Sequence, residues 1–512
     1  MPVTTQKKGS ILLINGLDVS KPGEYISEQA TPAVQNFRVD RGLLTKRVGT
    51  AARGSAIGGT DKEILHGREF TREGTKYNVR IGRDNIENYN SGTSSWDDIT
   101  GSALTGSTND LVDTAVPLLS GKRILCITNG IDAIRKWTGT GNTAALGGTP
   151  PVAKFIQEYQ TYLVCANIAG GTDVSQRVQW SHTANPETWD SGNAGSKDLV
   201  EDGEDITGLN LFGGYLCVHK PTSIYLGGLV STTSIFRFDR KSTEVGTIAN
   251  GSIVNLPTGE QIFLAKDGLR LFNGVRAPLI DAPVNDEIRD ELNLNTAHKA
   301  WGVLVLEEDE VWIGVPLGSQ TVGETVYKFN YKTRVLYKDT RANINAVWRA
   351  SESEANAWDD ASGTWDASTD RWNSGQLGTA SGEIHFGDTS GNTTIKDTDA
   401  DDDNGTAIDA RWQSKDYQDQ EFYRLLRWQE ILMWFKGSGT FDLEYSTDGG
   451  STWNVVSGSP FTLSGDFPAD TSPMRGYLDV LSTKNRFRIT HDGAGTLICK
   501  QFVISCVQRE LI

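Results

Sequence analysis

Residues 262–274 read IFLAKDGLRLFNG. The pattern predicts a strand, a tight turn and a second strand. Lys266-Asp267-Gly268 supplies the turn, because glycine takes the positive φ that a hairpin connection needs. The incoming arm, 262–265, is apolar on both faces, and the outgoing arm, 269–272, is nearly so. A hairpin apolar on both faces must be covered on both faces. Copies of the same unit, stacked on either side, would provide that cover.

The theme recurs. Arms 77–81 and 86–89 flank Arg83-Asp84-Asn85, and arms 124–128 and 134–137 flank Asn129-Gly130. Arms 162–166 and 178–181 are joined by a longer loop containing Gly170-Gly171; arms 215–219 and 224–226 flank Lys220-Pro221-Thr222. Segments 311–315 and 326–329 make another pair, and 383–388 one more arm. The first apolar residues of the outgoing arms are Ile86, Ile134, Val178, Ile224, Leu269 and Val326, in steps of 48, 44, 46, 45 and 57. A strand-rich period of roughly 40 to 50 residues is the mark of a propeller blade. Helical repeats of that length would carry apolar residues at three and four. The expected fold is all-β: a β-propeller of six to eight blades, with a β-sandwich or β-solenoid as the other ways to stack such units.

Four segments are expected: an N-terminal arm with the first strands over 1–50, the propeller over 51–396, an acidic linker over 397–406, and a small β-sandwich-like domain over 407–512. A short helix is expected over 285–300, capped by Asn285, with acids in its first turn. The 397–405 run, Asp-Thr-Asp-Ala-Asp-Asp-Asp-Asn-Gly, resembles a calcium loop. Asp402 stands where that loop needs glycine, and Ile408 where it needs glutamate, so a linker is the better reading. Seven short strands, including 423–435 and 497–507, suit a sandwich of about 105 residues.

Composition narrows the function. The 512 residues carry 55 glycines, 14 tryptophans and a net charge of −16. That balance argues against a basic nucleic-acid grip but not against a wall past which DNA slides. No run of about 18 apolar residues suggests a membrane span. The apolar part of the N-terminus is only 11–14, too short for a secretory signal, so folding in a cytoplasm is expected. Five scattered cysteines without a CxxC pair read as core thiols, and the six histidines lack ligand spacing. No nucleophile elbow, P-loop, HExxH or dinucleotide fingerprint occurs. No catalytic residue, metal or cofactor is therefore assigned, and the chain is read as a non-enzyme.

Three clusters stand out. Arg38, Lys46 and Arg47 form a basic patch in an acidic protein, either a solvated edge or a contact for an acidic neighbouring subunit. Trp358, Trp365 and Trp372 stand seven apart among poor helix formers, as turns packing on one surface or as a carbohydrate-binding strip. Ser446, Asp448, Gly450 and Trp453 match the Asp-box pattern, in which the aspartate holds a hairpin loop. Asp boxes resemble those of sialidases, where they are structural and away from the catalytic centre. Here the box is single, and Phe487-Arg488-Ile489 is followed by Thr490 and not proline.

The order Asn36-Phe37-Arg38-Val39-Asp40, Gly42-Leu43-Leu44, Lys46-Arg47 and Gly49 resembles the opening of tail hub and nozzle proteins of short-tailed bacteriophages. Trp180-Ser181 followed by 185–190 (NPETWD), Asp267-Gly268 and the tryptophan series are similar to such phage propellers too. The resemblance spans about 400 residues as scattered short motifs. It implies a structural virion protein of the tail, assembled in the host cytoplasm. The family forms a homo-oligomeric ring, typically a hexamer, below the head–tail connector and adaptor. The ring continues the DNA channel, retains the packaged genome, and anchors tail fibres, a spike or a needle. On that implication Arg38, Lys46 and Arg47 are the adaptor-contact candidates, and DNA passes the lumen without sequence-specific binding. The rival is a glycan-binding or glycan-cleaving propeller using the tryptophans and the Asp box.

Overall fold

The computed structural model describes residues 6–11, 15–19, 21–40, 42–169, 174–230, 235–280, 282–351, 382–419 and 424–508. The opening hairpin pairs Gln261–Ala265 with Gly268–Phe272 in antiparallel register, Ile262 opposite Leu271 and Ala265 opposite Gly268. Every residue of the two strands is buried except Arg270, which bonds back to Asp267 at 2.9 Å. Gly268 has φ +132°, and a Cβ there would come within 2.1 Å of Asn285 Oδ1. Glycine is therefore required by both conformation and space.

Among the described residues six further sheets of the same kind surround this one. In chain order the seven blades lie within 64–98, 113–145, 153–198, 208–242, 254–272, 301–340 and 344–396. Blades 1 to 4 and 6 are antiparallel sheets of four strands, while blades 5 and 7 have three strands of their own. The expected positions Ile86, Val178, Ile224, Leu269 and Val326 each fall in the third strand of a blade, and Ile134 lies just before one, Arg135–Trp137. All six are at most 1% exposed, so the period read from the sequence is the period of the blades' third strands.

The long step of 57 has a local cause. After blade 5 the chain forms a helix, Ala282–Glu291, whose Val284 and Ile288 are buried in the core shared by blades 5 and 6. The helix starts before the expected 285. Asn285 is not its cap: its buried side chain accepts a 2.7 Å bond from the Leu269 amide of the neighbouring hairpin. A short 3-10 turn, Ala297–Lys299, follows separately.

Among the described residues each blade-to-blade seam has its own apolar cluster, seven in all. The ring thus closes on itself between blade 7 and blade 1. There Trp348 lies against Gly67, where a Cβ would come within 2.0 Å of the indole. The Trp348 indole N–H donates to Asn78 Oδ1 at 2.8 Å. Blade 7 also borrows its fourth strand: Thr50–Ala52 pairs antiparallel with Thr393–Lys396, Thr394 opposite Ala52.

Two expected boundaries change. The 397–406 stretch is not a free linker, since Asp402–Asp403 and Thr406–Ala407 form a hairpin that extends the blade 7 sheet beyond Thr50–Ala52. Residues 1–50 are not a separate arm either. In one sheet of the C-terminal sandwich, Leu497–Gln508 is flanked by Leu426–Gly437 on one side and Leu43–Lys46 on the other, and also pairs with Gln6–Ile11. In the other sheet Ala33–Gln35 pairs with Ala410–Gln413. Trp412, Trp428, Phe441, Phe487 and Phe502 fill the space between them, in a core continuous with blades 5 and 6.

Trp348→Ala removes a buried aromatic at the seam that closes the ring. It is expected to cost about 3–5 kcal/mol of unfolding free energy in chemical denaturation.

Candidate functional site

The polar chemistry of the chain converges where the N-terminal strands cross blades 6 and 7. Asn36, at φ +58°, begins it. Its side-chain N–H donates to the Asp409 carbonyl at 2.6 Å, and its Oδ1 accepts from Arg47 Nε at 2.9 Å and from the Thr340 amide at 3.0 Å. One asparagine thus ties the N-terminal segment, blade 6 and the start of the sandwich. Arg47 then bonds Asp403 through both terminal nitrogens, at 2.9 and 2.5 Å, and the Thr340 carbonyl at 3.1 Å. Burial opposes its charge, but the Asp403 carboxylate outweighs that and raises its pKa.

Arg38, on Phe37–Asp40, reaches Glu308 at 2.6 Å, and Lys396 of blade 7 meets the same oxygen at 2.6 Å. Burial pushes the Glu308 carboxyl up, but Arg38, Lys328 and Lys396 hold it down to about 2. Glu310 lies two residues along and has fewer cations. Burial and the Glu308 charge push it up to about 7, against the pull of Lys328. Asp339 and Arg341 complete the cluster from the far strand of blade 6. Burial pulls Arg341 down to about 10. A buried network of this kind is not a large net stabiliser, but removing one member strands its partner.

The three residues expected at an adaptor surface are therefore spent inside the chain. Arg47 and Lys46 are each 4% exposed. Lys46 Nζ donates to the carbonyls of Gly493 and Gly495 at 2.7 and 3.1 Å and lies 3.0 Å from His491 Nδ1, locking a sandwich loop. Burial lowers its pKa to about 8. Arg38 is partly open but committed to Glu308. A basic patch in an acidic chain is drawn inward because its counter-charges, Glu308 and Asp403, lie on distant parts of the same chain.

The Asp box behaves as its turn chemistry demands. The Asp448 carboxylate accepts from the Ser446 and Thr452 hydroxyls at 2.7 and 2.6 Å and from the Ser451 and Thr452 amides at 3.0 and 2.9 Å. These bonds hold its pKa well below the usual carboxylate range. Gly450 sits at φ +96°, and the Arg488 guanidinium covers the Trp453 ring at 4.3 Å. The carboxylate is used up within the loop. Trp358, Trp365 and Trp372 lie outside the described residues.

One constellation had no signal beyond the i, i+2 spacing of Cys217 and His219 on a strand. His219 Nε2 lies 3.2 Å from Cys217 Sγ and 2.9 Å from Gln261 Oε1 of the next blade, all fully buried. Burial raises the thiol and lowers the imidazole to about 4. Both shifts keep the proton on sulfur, so this is a neutral core contact and not an activated thiolate. Among the described residues no three His, Cys, Asp or Glu side chains come together as a metal-holding group, and no helix is long and apolar enough to cross a membrane.

No family model matches the chain. No curated protein matches it. The crystal structure of BamB from Moraxella catarrhalis is similar at a TM-score of 0.37 and 11% identity, over 77% of this chain and 99% of that one. The propeller is read from the seven sheets and their seams, not from that likeness.

Arg47→Ala leaves Asp403 and Asn36 without their buried partner, and should cost about 3–5 kcal/mol in denaturant unfolding. Glu308 titrates in the depressed direction, so its contribution is fully present above the ordinary value of 4.5 and lost as pH falls toward about 2. Denaturation midpoints of the natural protein and Glu308→Gln should therefore converge over that window, and stay apart at neutral pH.

Proposed function

We propose that the chain is a structural subunit of a bacteriophage tail, a hub or nozzle protein that assembles as a ring below the head–tail connector. The observation that carries this reading is the weave of strands distant in sequence. Strands before residue 53 complete both sandwich sheets and the seventh blade. A disc whose sheets are completed by strands from distant parts of the chain resists opening when pulled, which suits a part that bears load while DNA is held or released. The net charge of −16 suits a wall that repels phosphate. The motif that carried the resemblance, Asn36 to Gly49, is also the segment that binds the sandwich to the propeller, so its residues serve the subunit's own integrity. Contacts with the adaptor, fibres, spike or needle then belong to other surfaces, since Arg38, Lys46 and Arg47 are occupied.

The rival glycan reading draws no support from the Asp box, whose carboxylate is saturated by its own loop. Electron microscopy of the purified protein and of particles labelled with an antibody to it decides between them. A ring, six-fold by expectation, at the tail below the connector supports the proposal. Particles that lack the protein, with glycan binding or hydrolysis in its place, overturn it.

A further inference from the structure

Among the described residues two buried lysine–aspartate pairs occupy the propeller, and they differ in kind. In blade 4, Lys220 meets Asp202, whose Oδ2 also accepts from Ser223 Oγ at 2.5 Å and Tyr225 OH at 3.1 Å. That carboxylate has the donors an ion needs. In blade 6, Lys328 Nζ lies against Asp339 Oδ2, with side chains 2% and 0% exposed. Neither oxygen of Asp339 accepts a hydrogen bond. The contact is close but not aligned for donation, and the next cation, Arg47 Nε, stands 4.0 Å away. A carboxylate held in the interior without hydrogen bonds is costly as an ion.

The surroundings complete a reactive set. Glu310–Val315, Thr325–Asn330 and Leu336–Thr340 are adjacent antiparallel strands. Trp312 stands opposite Lys328, and Lys328 opposite Tyr337. Glu310 and Asp339 are each two residues along from those partners, so Glu310, Lys328 and Asp339 share one face of the sheet. Trp312 lies under the lysine, 4.1 Å from Nζ to the ring centre, and stacks on Phe386 of blade 7. The Trp312 indole N–H holds Glu310 Oε2 at 2.8 Å. Burial lowers the pKa of Lys328 and raises that of Glu310, the directions that favour a free amine beside a carboxylic acid.

We propose that Lys328 and Asp339 join in an intramolecular isopeptide bond, with Glu310 carrying the protons. Glu310 takes a proton from the Lys328 ammonium. The freed amine attacks Asp339 Cγ, and a C–N bond forms. One Cγ–O bond breaks, and the oxygen leaves as water with two protons drawn from the nitrogen through Glu310. The amide keeps one hydrogen, Glu310 is regenerated, and no oxidant or cofactor enters. The product replaces two buried charges by a neutral amide and staples the last two strands of blade 6. This inference does not rest on the phage reading.

Mass spectrometry of the denatured full-length protein tests it. The natural chain should be lighter than its sequence by one water. Trypsin cuts at Lys332 and Arg334, in the exposed turn between the two strands, so the digest should contain a branched peptide joining the Lys328 segment to the Asp339 segment. Lys328→Met and Glu310→Gln should run at full sequence mass. A natural protein at full mass, or a missing water located elsewhere, overturns the proposal whether or not the variants fold. A Glu310→Gln protein that still lacks the water overturns the role given to Glu310.

Discussion

Three residues, Thr50–Ala52, laid against Thr393–Lys396, complete the seventh blade, which meets the first at the Trp348 seam. A propeller is a closed stack, and each blade covers its neighbours' apolar faces only if the last meets the first. Here the last blade takes a strand from near residue 50, so completing that blade waits for a pairing across almost 350 residues. Backbone hydrogen bonds of such a short strand are modest by themselves. The side chains around them make the pairing specific: Arg47 just before the strand grips Asp403 just beyond it, and Lys396 shares Glu308 with Arg38.

That arrangement also explains how a chain with a net charge of −16 tolerates charges in its interior. At the junction of the N-terminal strands with blades 6 and 7, Arg38 and Arg47 find acids from remote segments, and the pairing differs from one acid to the next. Glu308 faces Arg38 and Lys396 and stays ionised, while Glu310 on the same strand side of the blade is pushed toward its neutral form. The junction is therefore selective about which chain segments it accepts. An N-terminal segment laid elsewhere would leave Arg47 and Asp403 without each other.

Much of the propeller was legible in the linear order of residues. Hairpin arms such as 262–265 and 269–272 announce themselves by short apolar runs around Asp-Gly or Asn-Gly turns. Their spacing follows the blades because the hairpin arms of each blade are local, and in blades 1 to 6 the sheet is a meander of strands in sequence order. The Asp box was legible too, since its donors all lie within six residues of one another; the sandwich strands showed their own apolar pattern, but their pairings, such as Leu426–Gly437 with Leu497–Gln508 and Ala410–Gln413 with Ala33–Gln35, are long-range. The basic patch was misleading. Arg38, Lys46 and Arg47 look like a surface when their acids are invisible, and the acids lie 270 to 356 residues away at Glu308 and Asp403. Asn285 misled similarly, because its partner amide belongs to Leu269 on the adjacent hairpin and not to its own helix.

The division has a single physical origin. Strand identity, turn position and blade period depend on side-chain pattern and backbone conformational limits over a few residues, and these the amino-acid order alone dictates. Which strand closes the ring, which sheet the first fifty residues complete, and which charges are buried depend on contacts whose loop-closure cost and desolvation are settled only when the whole chain is folded. Residues 262–274 could be recognised as a hairpin in need of cover. That the cover is blade 4 on one side, and on the other blade 6 with the helix that displaces Asn285 from a cap to a hairpin clamp, belongs to the tertiary structure.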